Sequence, residues 1–336
     1  MNKTTKTVYV SLMLFLTAVN FCGCMSQNAS TTKTGGIYRT IKITTGLDNN
    51  MWFTESGANK IGKISPQNGE VTEYIIPTPN ASAYAIAAGP DGNIWFTESG
   101  ADKIGKISTQ SGEITEYNIP TENGAPDAIA AGPDNNMWFT ESGANKIGKI
   151  SPQNGKITEY NIPTESAIPD SIATGPDNSM WFTESGSNKI GKISPQSNKI
   201  TEYNIPAGNA IPDAIAAGPD NNMWFTASGA DKIGKISPQS GVITEYNIAT
   251  ENAVPDAIAA GPDNNMWFTE NGADKIGKIS PQSGEITEYN IPTENASPDA
   301  IVLGPDSNLW FTENRSNKIG KMTPATGVIT EVSNNS

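Results

Sequence analysis

Along most of the chain, apolar runs of about five residues alternate with clusters of Gly, Pro, Asn and Asp, and this alternation itself recurs. In the segment Asp127 to Pro163 the run Asp-Ala-Ile-Ala-Ala is closed by Gly132-Pro133-Asp134-Asn135-Asn136. Pro presets φ there, and Asp and Asn tolerate tight turns. An aromatic run follows from Met137 to Glu141, then the turn Ser142-Gly143-Ala144-Asn145, then Lys146 to Ile150. Asn154-Gly155, a strong hairpin signal, leads into the last run, Lys156 to Ile162. Runs this short between such breakers are strands rather than helices.

The seven tryptophans, Trp52, Trp95, Trp138, Trp181, Trp224, Trp267 and Trp310, are each 43 residues apart with no insertion. A unit of that size is too small to bury a core alone and must pack against its copies. Four antiparallel strands per unit and seven units predict an all-β fold, a seven-bladed β-propeller. A linear solenoid would need atypical polar capping repeats, and the terminal copies resemble the middle ones. The repeat is expected to fill residues 37–333 as one domain.

Composition adds a different material at the amino terminus. Residues 1–24 carry Lys3 and Lys6, the apolar stretch Val8 to Val19, and then Phe21-Cys22-Gly23-Cys24. This is the layout of a signal peptide, with an apolar region too short to span a membrane. A Cys at such a site resembles a lipoprotein box, with Cys24 as the acceptor and Cys22 as the alternative; a cleaved peptide without lipid is the plainer reading. Residues 25–36, rich in Ser, Thr and Asn, read as a flexible tether. The expected location is therefore extracytoplasmic, at the cell surface, with the membrane touched through the lipid alone. Both cysteines lie in the leader, so the folded domain has no disulfide. The formal charge of −13 argues against nucleic acid or an anionic bilayer as partner. A small molecule or surface ligand is the expected partner, and a monomer the expected state.

If the Gly-Pro-Asp-Asn-Asn turn closes a regular hairpin, the residue eleven before each Trp faces the one three after it. Asp127 would oppose Glu141, Asp256 Glu270 and Asp299 Glu313, sharing a sheet face. The first strand of a blade lines the channel, so Asp127, Asp170, Asp213, Asp256 and Asp299 should ring one mouth, completed by Tyr84 and Ile41. Such a ring could hold Ca²⁺ or Mg²⁺ or keep a proton at raised pKa for acid–base work. The next turn sets the same Glu opposite a Lys, Glu141 with Lys146 and Glu270 with Lys275, so the Glu positions read first as scaffold ion pairs, while the Asp ring reads equally as scaffold or site. Breaks in the repeat are the better pointers to a site: Tyr84 replaces Asp, Ala227 replaces Glu, and Arg315 stands in the turn after Glu313, where it could receive an anionic or carbonyl group. The Trp-Phe-Thr runs read as packing between blades.

Gly-Pro-Asp-Asn-Asn-Met-Trp-Phe-Thr-Glu, Asn-Lys-Ile-Gly-Lys-Ile and Ile-Thr-Glu-Tyr-Asn-Ile-Pro resemble the blades of the virginiamycin B lyase (streptogramin B lyase) family across essentially all of residues 37–332. The resemblance implies a seven-bladed propeller that opens a cyclic depsipeptide by elimination at its ester, with a histidine base and a Mg²⁺ held by glutamates at the mouth. The family's Pro-His-Ala/Gly-Ile matches Pro-Asp-Ala-Ile here, so Asp256 and Asp299 occupy histidine positions, and Glu270 and Glu313 match a metal-binding glutamate. The second metal-binding glutamate aligns with Ser297 or Val254. The chain contains no histidine, and a carboxylate of ordinary pKa is a poor base for a weakly acidic C–H. Two functions follow: a ligand-binding or surface-interaction module at an acidic channel mouth, or a Mg-assisted lyase with Asp256 or Asp299 as base.

Overall fold

The computed structural model describes residues 40–332, and the fold there is all-β. The leader and tether, with Cys22 and Cys24, lie outside the described residues. Twenty-eight strands form seven four-stranded antiparallel sheets, each built from four consecutive strands. In the third blade these are β9 (Pro126–Ala131), β10 (Met137–Glu141), β11 (Lys146–Ile150) and β12 (Ile157–Asn161). Among the described residues no helix is long and apolar enough to cross a membrane.

The turns behave as their residues dictate. Asn135 and Asn145 adopt φ of 58°, a left-handed backbone that Asn tolerates. Each inner hairpin ends in a carboxylate that holds the following indole: Trp138 Nε1 donates to Asp134 Oδ1 at 2.9 Å, and the other six tryptophans do the same at 2.9–3.0 Å. The indoles are buried. Trp138 stacks on Tyr160 of its own blade with ring centroids 5.7 Å apart, and on the other side it joins Ile172, Met180 and Phe182 of the next blade. The expected role of the tryptophans, filling the wedge between blades, is what the structure shows.

Among the described residues each sheet is built from its own four consecutive strands, including the two that close the ring. β1 (Thr40–Thr45) starts the first blade and β28 (Val328–Val332) ends the seventh. The two blades meet through a cluster of Ile43, Met51, Phe53, Ala300 and Trp310, and Thr45 Oγ1 donates to the Leu303 carbonyl at 2.7 Å.

One register expectation fails. In β9 and β10, Met137 to Phe139 pair regularly with Ala131 to Ile129, but Glu141 pairs with Pro126 rather than Asp127. Asp127 and Ala128 together oppose Thr140, which is a β-bulge. The cause is the Thr140 hydroxyl: it accepts the Ala128 N–H at 2.9 Å and donates to the Asp170 carbonyl of the next blade at 3.0 Å. The same shift recurs in the other blades, so each inner-strand Asp is turned out of line with the Glu and toward the channel.

Candidate functional site at the channel mouth

The bulge and the threonine clasp fix where each inner-strand Asp begins. Thr97, Thr140, Thr183, Thr226 and Thr269 donate to the carbonyls of Asp127, Asp170, Asp213, Asp256 and Asp299 at 2.8–3.1 Å. Thr54 holds Tyr84 in the same way at 2.8 Å. Tyr84, Asp127, Asp170, Asp213 and Asp256 line, with Lys42, a cavity of about 60 Å³. Asp299 closes the ring beside it through Lys42.

Lys42 is the residue that sequence reasoning missed. Its N–H donates to Thr54 Oγ1 at 3.1 Å, as that of Ala128 does to Thr140, so Lys42 stands one position beyond the aspartates. The side chain of Ile41, expected in the ring, is not described. Lys42 Nζ donates to Asp299 Oδ1 at 2.6 Å, lies 3.8 Å from Asp256 Oδ1 and sits 5.6 Å from the Tyr84 ring centroid. Two asparagines brace the same sector. Asn314 Nδ2 donates to Asp299 Oδ2 at 3.1 Å, and Asn271 Nδ2 reaches the Pro298 carbonyl at 3.1 Å and Asp256 Oδ2 at 3.5 Å. A signal existed in the sequence: units six and seven carry Asn after Trp-Phe-Thr-Glu where units two, three and four carry Ser.

Burial dominates the electrostatics. It pushes Asp127 up to about 6, against the pull of Lys42. It pushes Asp170 and Asp213 to about 7, helped by the adjacent aspartates. Asp256 is held well above the usual carboxylate range by the same burial, again against the pull of Lys42. Asp127 and Asp170 act on each other across the cavity, and Asp127 helps to raise Asp170. Lys42 pays a desolvation penalty, yet Asp299 and Asp256 hold its ammonium well above its ordinary value. Burial also raises the Tyr84 phenol beyond its ordinary range, assisted by Asp127 and opposed by Lys42.

The glutamates expected beside the ring lie elsewhere. Glu270 is fully buried, with neither carboxylate oxygen hydrogen-bonded as an acceptor, and it faces Glu288, Lys275 and Asp231. Glu313 is equally buried and accepts from Ser316 at 2.9 Å, facing Glu331 and Lys318. Each is surrounded by residues of its own blade and of the preceding blade or loop rather than by the aspartate ring. The cross-strand register of Glu with Lys is as expected, Glu141 against Lys146, but the ion pair is not. Lys146 Nζ passes over Glu141 to Glu159 Oε2 at 2.9 Å and to Thr121 Oγ1 at 2.6 Å, because the long side chain reaches the outer strand and a better-hydrated partner. Lys103 with Glu116 and Lys60 with Glu73 repeat the arrangement. Arg315 is exposed in the turn before β27 (Lys318–Thr323), on the mouth face.

A divalent cation needs several hard oxygens converging at one point. Among the described residues no three acidic, His or Cys side chains converge in that way. Ser297, aligned with the second ligand, is engaged with Asn271 Oδ1 at 3.0 Å, and Val254, the other aligned residue, is apolar. The donors present among the described residues do not fit Mg²⁺ or Ca²⁺.

The fold and its lining define the class: an all-β seven-bladed propeller with one polar, half-buried channel mouth. The chain belongs to the virginiamycin B lyase family, whose family model matches residues 19–255 and 238–334. A streptogramin B lyase structure is 38% identical, with a TM-score of 0.81, over 90% of this chain and 97% of that one. Virginiamycin B lyase from Staphylococcus aureus is 41% identical, with a TM-score of 0.79, over 88% of this chain and 96% of that one. A catalytically inactive histidine-to-alanine variant of the Staphylococcus aureus enzyme, with quinupristin, is 39% identical, with a TM-score of 0.81, over 87% and 97%. No curated protein sequence matches the chain.

Proposed function

We propose that this protein is a ligand-binding module whose site is the acidic channel mouth, and that it has lost the elimination chemistry of its relatives. The observation that carries the reading is at Asp256 and Asp299. These residues stand at the family's histidine positions, and both are engaged by the protein's own ammonium, Lys42. A base must be free to approach the C–H it deprotonates, whereas Asp299 is tied on one oxygen by Lys42 and on the other by Asn314. The Staphylococcus aureus relative is catalytically inactive in a histidine-to-alanine variant, and this chain has no histidine at all.

The mouth would act by offering a desolvated, partly protonated set of carboxyls to a donor-bearing or cationic group, with the threonine clasps keeping the carboxyls in place. The leader and Cys24 support placement outside the cytoplasmic membrane on a lipid anchor, with residues 25–36 as tether. The acidic charge supports a ligand other than nucleic acid, and a ring whose seven blades pack on one another supports a monomer.

One observation favours a lyase instead. Burial lifts Asp256 well above the carboxylate range and Asp213 to about 7, close to imidazole, so a carboxylate could serve as base without the metal. The deciding experiment is incubation of the purified protein with quinupristin, following ring opening by chromatographic retention and binding by calorimetry. Saturable binding without product supports the module. Turnover abolished in Asp256→Asn would replace it with a carboxylate-based lyase, and neither binding nor turnover would remove this ligand class from the mouth.

A further inference from the structure

We propose that the mouth face takes an amphipathic cation: a protonated amine seated over the acidic ring and carried on an apolar body that lies on a shelf of Ile168, Ile211 and Val254. The inference deepens the reading of the mouth as the binding site and rests on it.

The shelf is defined by three residues at one position in three consecutive blades. Ile168, Ile211 and Val254 each precede the Pro-Asp that opens an inner strand, and they are 46%, 41% and 40% exposed. Blades two, three and seven carry Ser82, Ala125 and Ser297 there. An isolated exposed apolar residue means little, but three at one position in consecutive blades, each two residues before a mouth aspartate, mark one sector of the rim as a contact surface. Their backbones sharpen the point. Ile168, Ile211 and Val254 have φ of 48°, 45° and 45°, a left-handed conformation that is unfavourable for β-branched residues. Each side chain lies over the glycine of the adjoining turn, Gly186, Gly229 or Gly272, where an added Cβ would meet it at about 2.8–2.9 Å. Bulk is thus presented on the mouth face where Ser serves the same turn in other blades.

The charge beside the shelf selects what can cover it. Five aspartates ring the mouth against one lysine, and that lysine is already bonded to Asp299. Among the described residues Asp170 and Asp213, on the inner strands that Ile168 and Ile211 introduce, feel Lys42 only at a distance, while its ammonium lies against Asp299 and Asp256. Glu165 and Glu251 are exposed in the loops leading to the shelf. An anionic or neutral apolar ligand would leave these carboxyls desolvated and unpaired. A ligand carrying an ammonium pairs them as it buries the shelf.

The test uses dansylcadaverine, a primary ammonium on an aromatic body, with dansylglycine as the anionic control and 1,5-diaminopentane as the cation without a body. A saturable blue shift of the dansyl emission is expected for dansylcadaverine alone, with 1,5-diaminopentane competing weakly. The combined Ile168→Ser/Ile211→Ser/Val254→Ser variant should weaken binding about tenfold or more, since the lost apolar contact is the main source of affinity for the body. Folding of that variant is secured by Ser82 and Ser297, which already hold the same left-handed turn, and its melting temperature should not fall. The Asp170→Asn/Asp213→Asn variant should weaken binding as well. Binding that responds to the aspartates but not to the serines would overturn the shelf while leaving the mouth as the site. Equal binding of dansylglycine would overturn the cation. Absence of dansylcadaverine binding would overturn the inference outright, with quinupristin calorimetry then judging the mouth independently.

Discussion

The molecule holds two concentric sets of buried carboxyls, and they are buried for different ends. The outer set, Glu55, Glu98, Glu141, Glu184, Glu270 and Glu313, is repeated blade by blade, each member fully enclosed beside its own Lys–Glu pair. Burial pushes Glu98, Glu141 and Glu270 to about 8 and Glu184 to about 7. Burial favours the neutral form of these four and of Glu313, and the set packs as polar filling. The inner set shares one cavity and one cation, Lys42, which the repeat does not supply to any other blade. The difference teaches that the same repeat supplies both sets, and that the mouth is set apart where the repeat is broken: at Lys42, Tyr84, Asn271 and Asn314.

The largest expected effect comes from breaking the inner set at its cation. Lys42→Met leaves Asp299 and Asp256 without their counter-charge, and removing one partner of a buried ion pair costs about 3 kcal/mol. Urea denaturation at pH 8 should show a loss of that order. The loss should shrink toward pH 4, where Asp256, already held well above the carboxylate range, is protonated and needs no partner. An equal loss at both pH values would show that Lys42 acts through packing alone.

The outer set should respond with the opposite sign. Glu141 titrates at about 8 in the folded protein, against 4.5 for the unreacted side chain. The folded state therefore holds a proton that the unfolded state releases between those values. Stability from this group is full below pH 4.5 and falls as pH rises to about 8. Gln mimics the neutral acid and cannot ionise. Each pKa unit corresponds to about 1.4 kcal/mol, part of it recovered by relaxation and water entry, so Glu141→Gln should stabilise the protein by about 2 kcal/mol at pH 8 and by almost nothing at pH 4.5. Parallel chemical denaturation at the two pH values checks it; a loss of stability at pH 8 would mean that Glu141 is ionised and useful.

The scaffold was legible because it is local and repeated. The tryptophan spacing, the Asn-Gly and Gly-Pro-Asp turns and the run lengths specify strands and blade count without reference to distant residues. The site was legible only in part. The aspartates were placed at the mouth correctly, but their opposition to glutamate was not, because the bulge depends on a Thr140 hydroxyl that also reaches Asp170 in the next blade. Lys146 was set in the right register with the wrong partner, since pairing fixes Cα positions and not where a four-carbon side chain ends. Lys42 was missed because β1 departs from the repeat, and a Lys in Thr-Ile-Lys-Ile carries no local sign that its ammonium will meet residues more than two hundred positions away.

The smallest effect tests whether the rim of the inner set is held under strain. Ile211 keeps a φ of 45° two residues after Asn209, whose own φ is 57°. Asn adopts this region readily, whereas a β-branched residue there costs about 1–3 kcal/mol. Ile211→Asn gives up contact with Gly229, but the side chain is 41% exposed, so little burial is lost. The balance predicts a gain of about 1 kcal/mol, a rise of a few degrees in melting temperature. The same substitution should weaken dansylcadaverine binding. Stability gained as affinity falls would show that the rim is shaped for a ligand at the expense of the fold; a fall in both would show that Ile211 is ordinary packing, and the contrast between scaffold and mouth would then stop at the aspartates.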